Sequence, residues 1–139
     1  MLPKNIKLSS INAINEGTLM STLGIEFTEI GDDYLCATMP VDERTFQPMG
    51  LLHGGANVAL AESLGSAGTF MMLDTKTHNG VCIEINANHV GGVMKGKVTG
   101  KATLLHKGKT THVWNIEIRD EEGKLISYSR MTMMILERK

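Results

Sequence analysis

The sequence predicts an α+β fold in which a curved, largely antiparallel sheet wraps one long central helix. Three observations predict it: a run from Gly54 to about Asp74 that is apolar nearly all round, two strand-like segments before it, and four after it separated by turn residues. A helix of that kind has to be covered on most sides, and a single sheet curling round it provides the cover.

The elements follow in chain order. Ser9 and Ser10 stand as N-caps for a short helix reaching about Leu23, with Ile11, Ile14, Leu19 and Leu23 near helical spacing and Gly24 at its end. IEFTEI and YLCATM, joined by Gly31-Asp32-Asp33 and closed by Pro40, form a hairpin. A loop from Val41 to Leu52 carries Pro48 and Gly50 and leads into the central helix. There Ala56, Val58, Leu60, Leu64 and Phe70 leave few polar positions, chiefly Asn57, Glu62, Ser63 and Ser66. The small residues from Gly65 to Gly68 would let another backbone come close, which offsets the helix cost of a glycine, about 1 kcal/mol. After a polar loop around Asp74 to Gly80, VCIEINANHV, KVTGKATLLH, THVWNIEIRD and KLISYSRMTMMIL have the character of strands. Gly91-Gly92, Lys107-Gly108-Lys109 and Asp120 to Gly123 are expected to be hairpin connections between neighbouring strands.

Composition narrows the function. With 139 residues, 42% apolar and 21% charged, the chain is expected to be one globular domain over 1–139, neither disordered nor membrane-embedded. No apolar run approaches the roughly 18 residues of a membrane span, and MLPKNIKLSS lacks the apolar centre of a secretory signal, so the expected location is the cytoplasm. Fourteen basic against fifteen acidic residues leave a net charge of −1, which argues against a nucleic-acid partner. Cys36 and Cys82 match no zinc or redox spacing and have no adjacent cation, as suits buried, reduced thiols. The histidines at 53, 78, 89, 106 and 112 show no ligand spacing, so neither a metal nor a cofactor is expected.

Two features can carry chemistry. Glu62 is a carboxylate in the most apolar segment of the chain: either it is buried, which would raise its pKa toward the range useful for acid–base work, or it lies on a solvated stripe with Ser63 and Ser66. Ser66, at i+4, shares its face and could support the carboxylate or a water beside it. The second feature is Leu52-His53-Gly54-Gly55, just ahead of the helix. Glycines there let a substrate approach the backbone, and the N–H groups of a first helical turn are ready donors for developing negative charge. The segment lacks the GxxxxGK[ST] pattern of a nucleotide cradle. Gln47, a few residues upstream, offers an amide that could orient a carbonyl.

Taken together, Gln47 to Ala56, Ala61 to Ser66 and Glu84-Ile85-Asn86-Ala87-Asn88-His89-Val90 closely resemble the hotdog-fold acyl-CoA thioesterases. The resemblance runs from about Leu19 to Leu136 and is to the PaaI-like branch that holds the Arthrobacter-type 4-hydroxybenzoyl-CoA thioesterases, the 1,4-dihydroxy-2-naphthoyl-CoA hydrolases of menaquinone biosynthesis and the enterobactin proofreading thioesterases. It implies a hotdog fold and hydrolysis of acyl-CoA, with aromatic acyl groups favoured and CoA present only as part of the substrate. It further implies that Glu62 is nucleophile or general base with Ser66 in support, and that Gln47, His53 and the Gly55 N–H surround the thioester carbonyl, beside Gly54. His89 then lies in the pocket, with Phe70 among the residues that line it. Where several relatives carry basic residues after the histidine of NANHV, this chain has Gly91-Gly92-Val93-Met94, so contacts to CoA phosphates fall to Lys95, Lys97, Lys107 or Lys109.

One geometric point is independent of family. Glu62 lies seven positions beyond Gly55, about 10 Å along one helix, whereas one carbonyl needs both groups at about 3 Å. A homodimer with a shared active site is therefore expected, formed through the small face at Gly65 and Gly68 or through an edge strand; the resemblance suggests a dimer of dimers. The alternatives are an acyl-thioester hydratase or dehydratase, since fold does not set function, and a non-catalytic acyl-CoA-binding protein.

Overall fold

The structure, a computed structural model, describes residues 1–139. Two short helices, α1 (Leu8–Ile14) and α2 (Leu19–Thr22), precede β1 (Glu26–Ile30) and β2 (Tyr34–Pro40). Then come α3 (Gly54–Met71), β3 (His78–His89), β4 (Lys97–Lys107), β5 (Thr111–Arg119) and β6 (Leu125–Glu137). The strands form one six-stranded sheet in the order β1-β2-β4-β5-β6-β3, antiparallel at every pairing. Helix α3 packs on it against β2 to β6, the arrangement the sequence predicts. No helix is long and apolar enough to cross a membrane.

The core sits between α3 and the sheet. Along β5 the period of two puts His112, Trp114, Ile116 and Ile118 on the buried face, opposite Leu60 and Leu64 of α3. Gly65 and Gly68 serve this packing: a Cβ at Gly68 would run into the Trp114 ring, and one at Gly65 into Met131. Both glycines are buried against the chain's own sheet, which excludes them as the inter-subunit face considered above.

Trp114 brings a polar group into this core and satisfies it. Its Nε1 donates to Thr69 Oγ1 at 2.9 Å, and the same hydroxyl lies 3.4 Å from His112 Nδ1. Burial, with Lys107 and His106 nearby, holds the His112 imidazole below its ordinary pKa. The folded protein then binds fewer protons there than the unfolded chain, so stability is full above the unfolded value of 6.5 and falls as pH drops through it. We expect the free energy of unfolding to fall as pH drops through 6.5, at up to about 1.4 kcal/mol per pH unit, with the thermal midpoint lower at pH 5.5 than at 7.5, and a His112→Gln variant to show a flatter profile. Parallel profiles for the two proteins would refute this.

Two segments differ from expectation. The N-terminal helix is broken in two at Asn15 to Thr18, where Gly17 takes φ +74°. Its N-cap is Lys7 rather than a serine, and Thr18 caps α2 by accepting from Met20 N–H. The pieces remain in place because Asn12 brackets the Phe27 backbone, donating from Nδ2 to its carbonyl at 2.9 Å and accepting its N–H at 2.8 Å. Second, Gly91-Gly92 is no hairpin turn. β3 pairs with β6 and β4 with β2 and β5, so residues 90–96 form a crossover, tied down by Leu52 N–H to Val93 O and Val41 N–H to Gly96 O, each at 2.8 Å. The other two turns do join neighbouring strands, β4 to β5 and β5 to β6.

Candidate active site

The loop before α3 is built by its own hydrogen bonds. Asp42 O accepts from Thr45 and Phe46 N–H at 2.9 Å, Gln47 N–H donates to Leu51 O at 2.8 Å, and Gly50 N–H returns to Gln47 O at 2.9 Å. The Gln47 side chain joins in, Oε1 accepting from Met49 N–H. That engagement leaves its amide N–H groups to act as donors.

His53 ends the loop, its N–H held by Thr45 O at 2.8 Å, and caps α3. Its ring Nδ1 accepts from Gly55 N–H at 2.8 Å. A neutral ring that accepts at Nδ1 carries its proton at Nε2, which makes Nε2–H a donor. The Gly55 N–H expected to meet a substrate carbonyl is thus held by His53, whereas the Gly54 N–H finds no acceptor among the cap and loop bonds. His89, at the end of β3, lies over the same turn: a Cβ at Gly54 would stand 2.8 Å from its Nε2. Ser127 Oγ, 3.0 Å from His89 Nδ1, fixes that ring. His53, Gly54, Gly55 and His89 therefore gather at the N-terminus of α3, and Gln47 lies in the loop that leads into it.

Further along α3, Gly55, Ala59, Glu62, Ser66 and Phe70 mark a stripe that the sheet leaves uncovered. Glu62 is exposed in it, so the solvated-stripe reading describes the single chain and a buried carboxylate does not. The helix is covered on its other sides only. No cation stands beside Glu62; the ion pairs of the chain are Lys4–Asp32, Arg44–Asp42 and Arg119–Glu117. Ser66 Oγ approaches Met133 Sδ at 3.8 Å, and Ser63 Oγ donates back to Ala59 O at 2.6 Å, so neither is bonded to the carboxylate within the single chain.

Cys82, expected to be a buried thiol, differs from that expectation. It is half-buried on β3 rather than fully buried like Cys36, and burial pushes its thiol up, followed by the charge of Glu62 beside it. The available signal was alternation: Cys82 is two residues beyond buried Gly80, on the side that faces α3.

Beside the stripe a cavity of about 570 Å³ opens between α3 and the N-terminal helices, with Ser63, Ser66 and Phe70 on one wall and Ile11, Ile14 and Asn15 on the other. No charged side chain lines it. Lys95, Lys97, Lys107 and Lys109 are all exposed. Lys95 lies on the crossover by the start of α3, but Lys107 and Lys109 flank a turn at the far end. Ser127, paired with His89, and Met134, paired with Thr111, are seven residues apart on β6, about 23 Å, so one chain does not bring those lysines to His53. No three His, Cys, Asp or Glu side chains cluster as metal ligands would.

Comparison with known proteins shows the family and the fold. Residues 49–127 match the family model described as the thioesterase superfamily. The chain is 50% identical over 133 residues to the 1,4-dihydroxy-2-naphthoyl-CoA hydrolase of Escherichia coli, covering 96% of this chain and 97% of that one. It is 45% identical over 136 residues to a proofreading thioesterase of Cronobacter turicensis, covering 96% of each. A crystal structure of a mutant thioesterase from Pseudomonas aeruginosa superposes with a TM-score of 0.96 at 42% identity, covering 99% of both chains.

Proposed function

Because the chain belongs to the thioesterase superfamily and is an enzyme of the thioester-hydrolase type, we propose that it hydrolyses acyl-CoA thioesters with an aromatic acyl group, using Glu62 as base or nucleophile. The observation that carries the assignment is an uncompensated carboxylate on an uncovered helix stripe, in line with a cluster of free donors. Gln47 Nε2, His53 Nε2–H and Gly54 N–H receive the carbonyl oxygen, and the N-terminal dipole of α3 stabilises the negative charge that develops there. Glu62 takes a proton from a water that attacks the carbonyl carbon, or attacks it directly to give an anhydride that water opens. By either route the C–S bond breaks, the sulfur leaves as the CoA thiol and the acyl group leaves as a carboxylic acid.

Glu62 and the donor cluster sit about 10 Å apart along α3, so two copies of the chain complete each site. Strand β3 has a free edge and exposes Val81 and Ile83. Pairing of β3 with β3 of a second copy sets the two α3 stripes side by side and antiparallel, with the His53–Gly54 end of one toward Glu62 of the other. The dimer pairs again into a tetramer. Lys95 from one copy, and Lys107 and Lys109 from the other, meet the CoA phosphates.

Release of free thiol from a panel of aromatic and aliphatic acyl-CoAs tests this reading. Turnover is expected to be fastest with ring-bearing acyl groups. Equal or better turnover of straight-chain thioesters would refute the aromatic assignment, and release from none would refute acyl-CoA as the substrate.

A further inference from the structure

We propose that Ser127 is a positioning residue whose buried hydroxyl donates to His89 Nδ1 and so fixes that ring as a hydrogen-bond donor beside Gly54; this rests on the thioesterase reading above. The sheet brings the pair together by a device in β3. Gly80 faces α3, since a Cβ there would stand 3.0 Å from the Thr69 methyl. Strict alternation would turn His89, nine residues on, to the opposite face of the sheet. The bulge between Cys82 and Glu84 adds one residue and returns His89 to the α3 side, where Ser127 is its partner in the register with β6.

Along β6 the buried face changes character as it nears the start of α3. Positions 131, 133 and 135 are Met, Met and Ile, whereas 127 and 129 are serines, each only 2% exposed. Taking a hydroxyl out of water is costly unless it is bonded. Ser127 Oγ lies 3.0 Å from His89 Nδ1 and makes no other hydrogen bond. Were Nδ1–H the donor, the serine proton would have no acceptor; donation from Oγ–H to Nδ1 satisfies both groups. The ring then carries its own proton at Nε2, and it is the Nε2–Cδ2 edge that covers the Gly54 turn. Nε2–H thus joins His53 Nε2–H and Gly54 N–H where charge develops on the carbonyl oxygen. Without the hydroxyl the ring can hold its proton on either nitrogen, and in half of those states it offers a lone pair to that charge.

A long-range ¹H–¹⁵N spectrum reads the ring directly. In the native protein His89 should be the Nε2–H tautomer, and Ser127→Ala should shift its Nδ1 resonance. An Nδ1–H ring in the native protein, or an Nδ1 resonance indifferent to the substitution, would overturn the assignment. Kinetics then separate positioning from packing, on the fastest acyl-CoA of the panel above. Ser127→Ala should lower kcat by about 3–10-fold with KM nearly unchanged, and should cost nothing further in a His89→Ala background, because the hydroxyl acts only through that ring. The same loss in both backgrounds would show that Ser127 serves packing alone, and a native kcat in Ser127→Ala would show that it serves neither; each result overturns the assignment. If no thioester is hydrolysed, the thioesterase reading falls, while the spectrum still decides for or against the bond from Ser127 to His89.

Discussion

Glu62→Gln should lower kcat for thioester hydrolysis by about two to four orders of magnitude, with KM nearly unchanged. The substitution keeps the size of the side chain and its hydrogen-bonding reach, and removes the one property on which both chemical routes depend, an electron pair on an anionic oxygen. Two to four orders of magnitude correspond to about 3–5 kcal/mol of transition-state stabilisation. Stability should not suffer. Glu62 is exposed in the single chain and has no cation beside it, so the fold loses no ion pair. If a second copy covers the α3 stripe, the carboxylate is a cost of assembly that glutamine reduces. Steady-state kinetics together with thermal unfolding check both halves. A variant that is folded, assembled and as active as the native protein would show that the carboxylate is not the reacting group.

The second large effect is a recovery. His53→Ala and Glu62→Gln proteins, each nearly inactive alone, should regain activity when unfolded together and refolded as a mixture. A dimer holding one copy of each has one site with both substitutions and one with neither, so random pairing restores about a quarter of the native sites. The expectation follows from distance. One α3 helix separates the two groups by about 10 Å and cannot set both at about 3 Å from the same carbon. Assay of the mixture against each parent at equal total concentration makes the measurement. No recovery, with mixed dimers confirmed by mass, would place Glu62 and His53 of the same chain in one site.

Much of this was legible in the residues because it depends on local chemistry. The start of α3 follows from His53-Gly54-Gly55, and its character from the residues that follow. The strand limits follow from alternation and turn residues. The crossover at 90–96 was not legible, because Gly91-Gly92 suits a tight turn whether or not the flanking strands are neighbours; only the long-range pairing of β3 with β6 decides that. That His53, Gly54 and Gly55 stand together at the start of α3 was legible because they adjoin in sequence; their hydrogen-bonding state was not. Nothing in the order of residues says that Gly55 N–H is held by His53 while Gly54 N–H is free, because that depends on one ring torsion. The break in the N-terminal helix had a signal in Gly17, but its consequence, a cavity wall carrying Asn15, required the fold.

The place of β3 also bears on how the chain is made. Its only partner in the sheet, β6, is the last of the six strands to be synthesised, and 35 residues separate the end of one at His89 from the start of the other at Leu125. At cellular synthesis rates that gap is about 2–7 s, during which both edges of β3 are unpaired and Val81, Ile83 and Ile85 have no sheet to join. The ribosome therefore holds an open strand until β6 has followed it. Weakened pairing in β6 lengthens that exposure, so its first cost falls on the yield of native protein and not on the rate at which each finished molecule works.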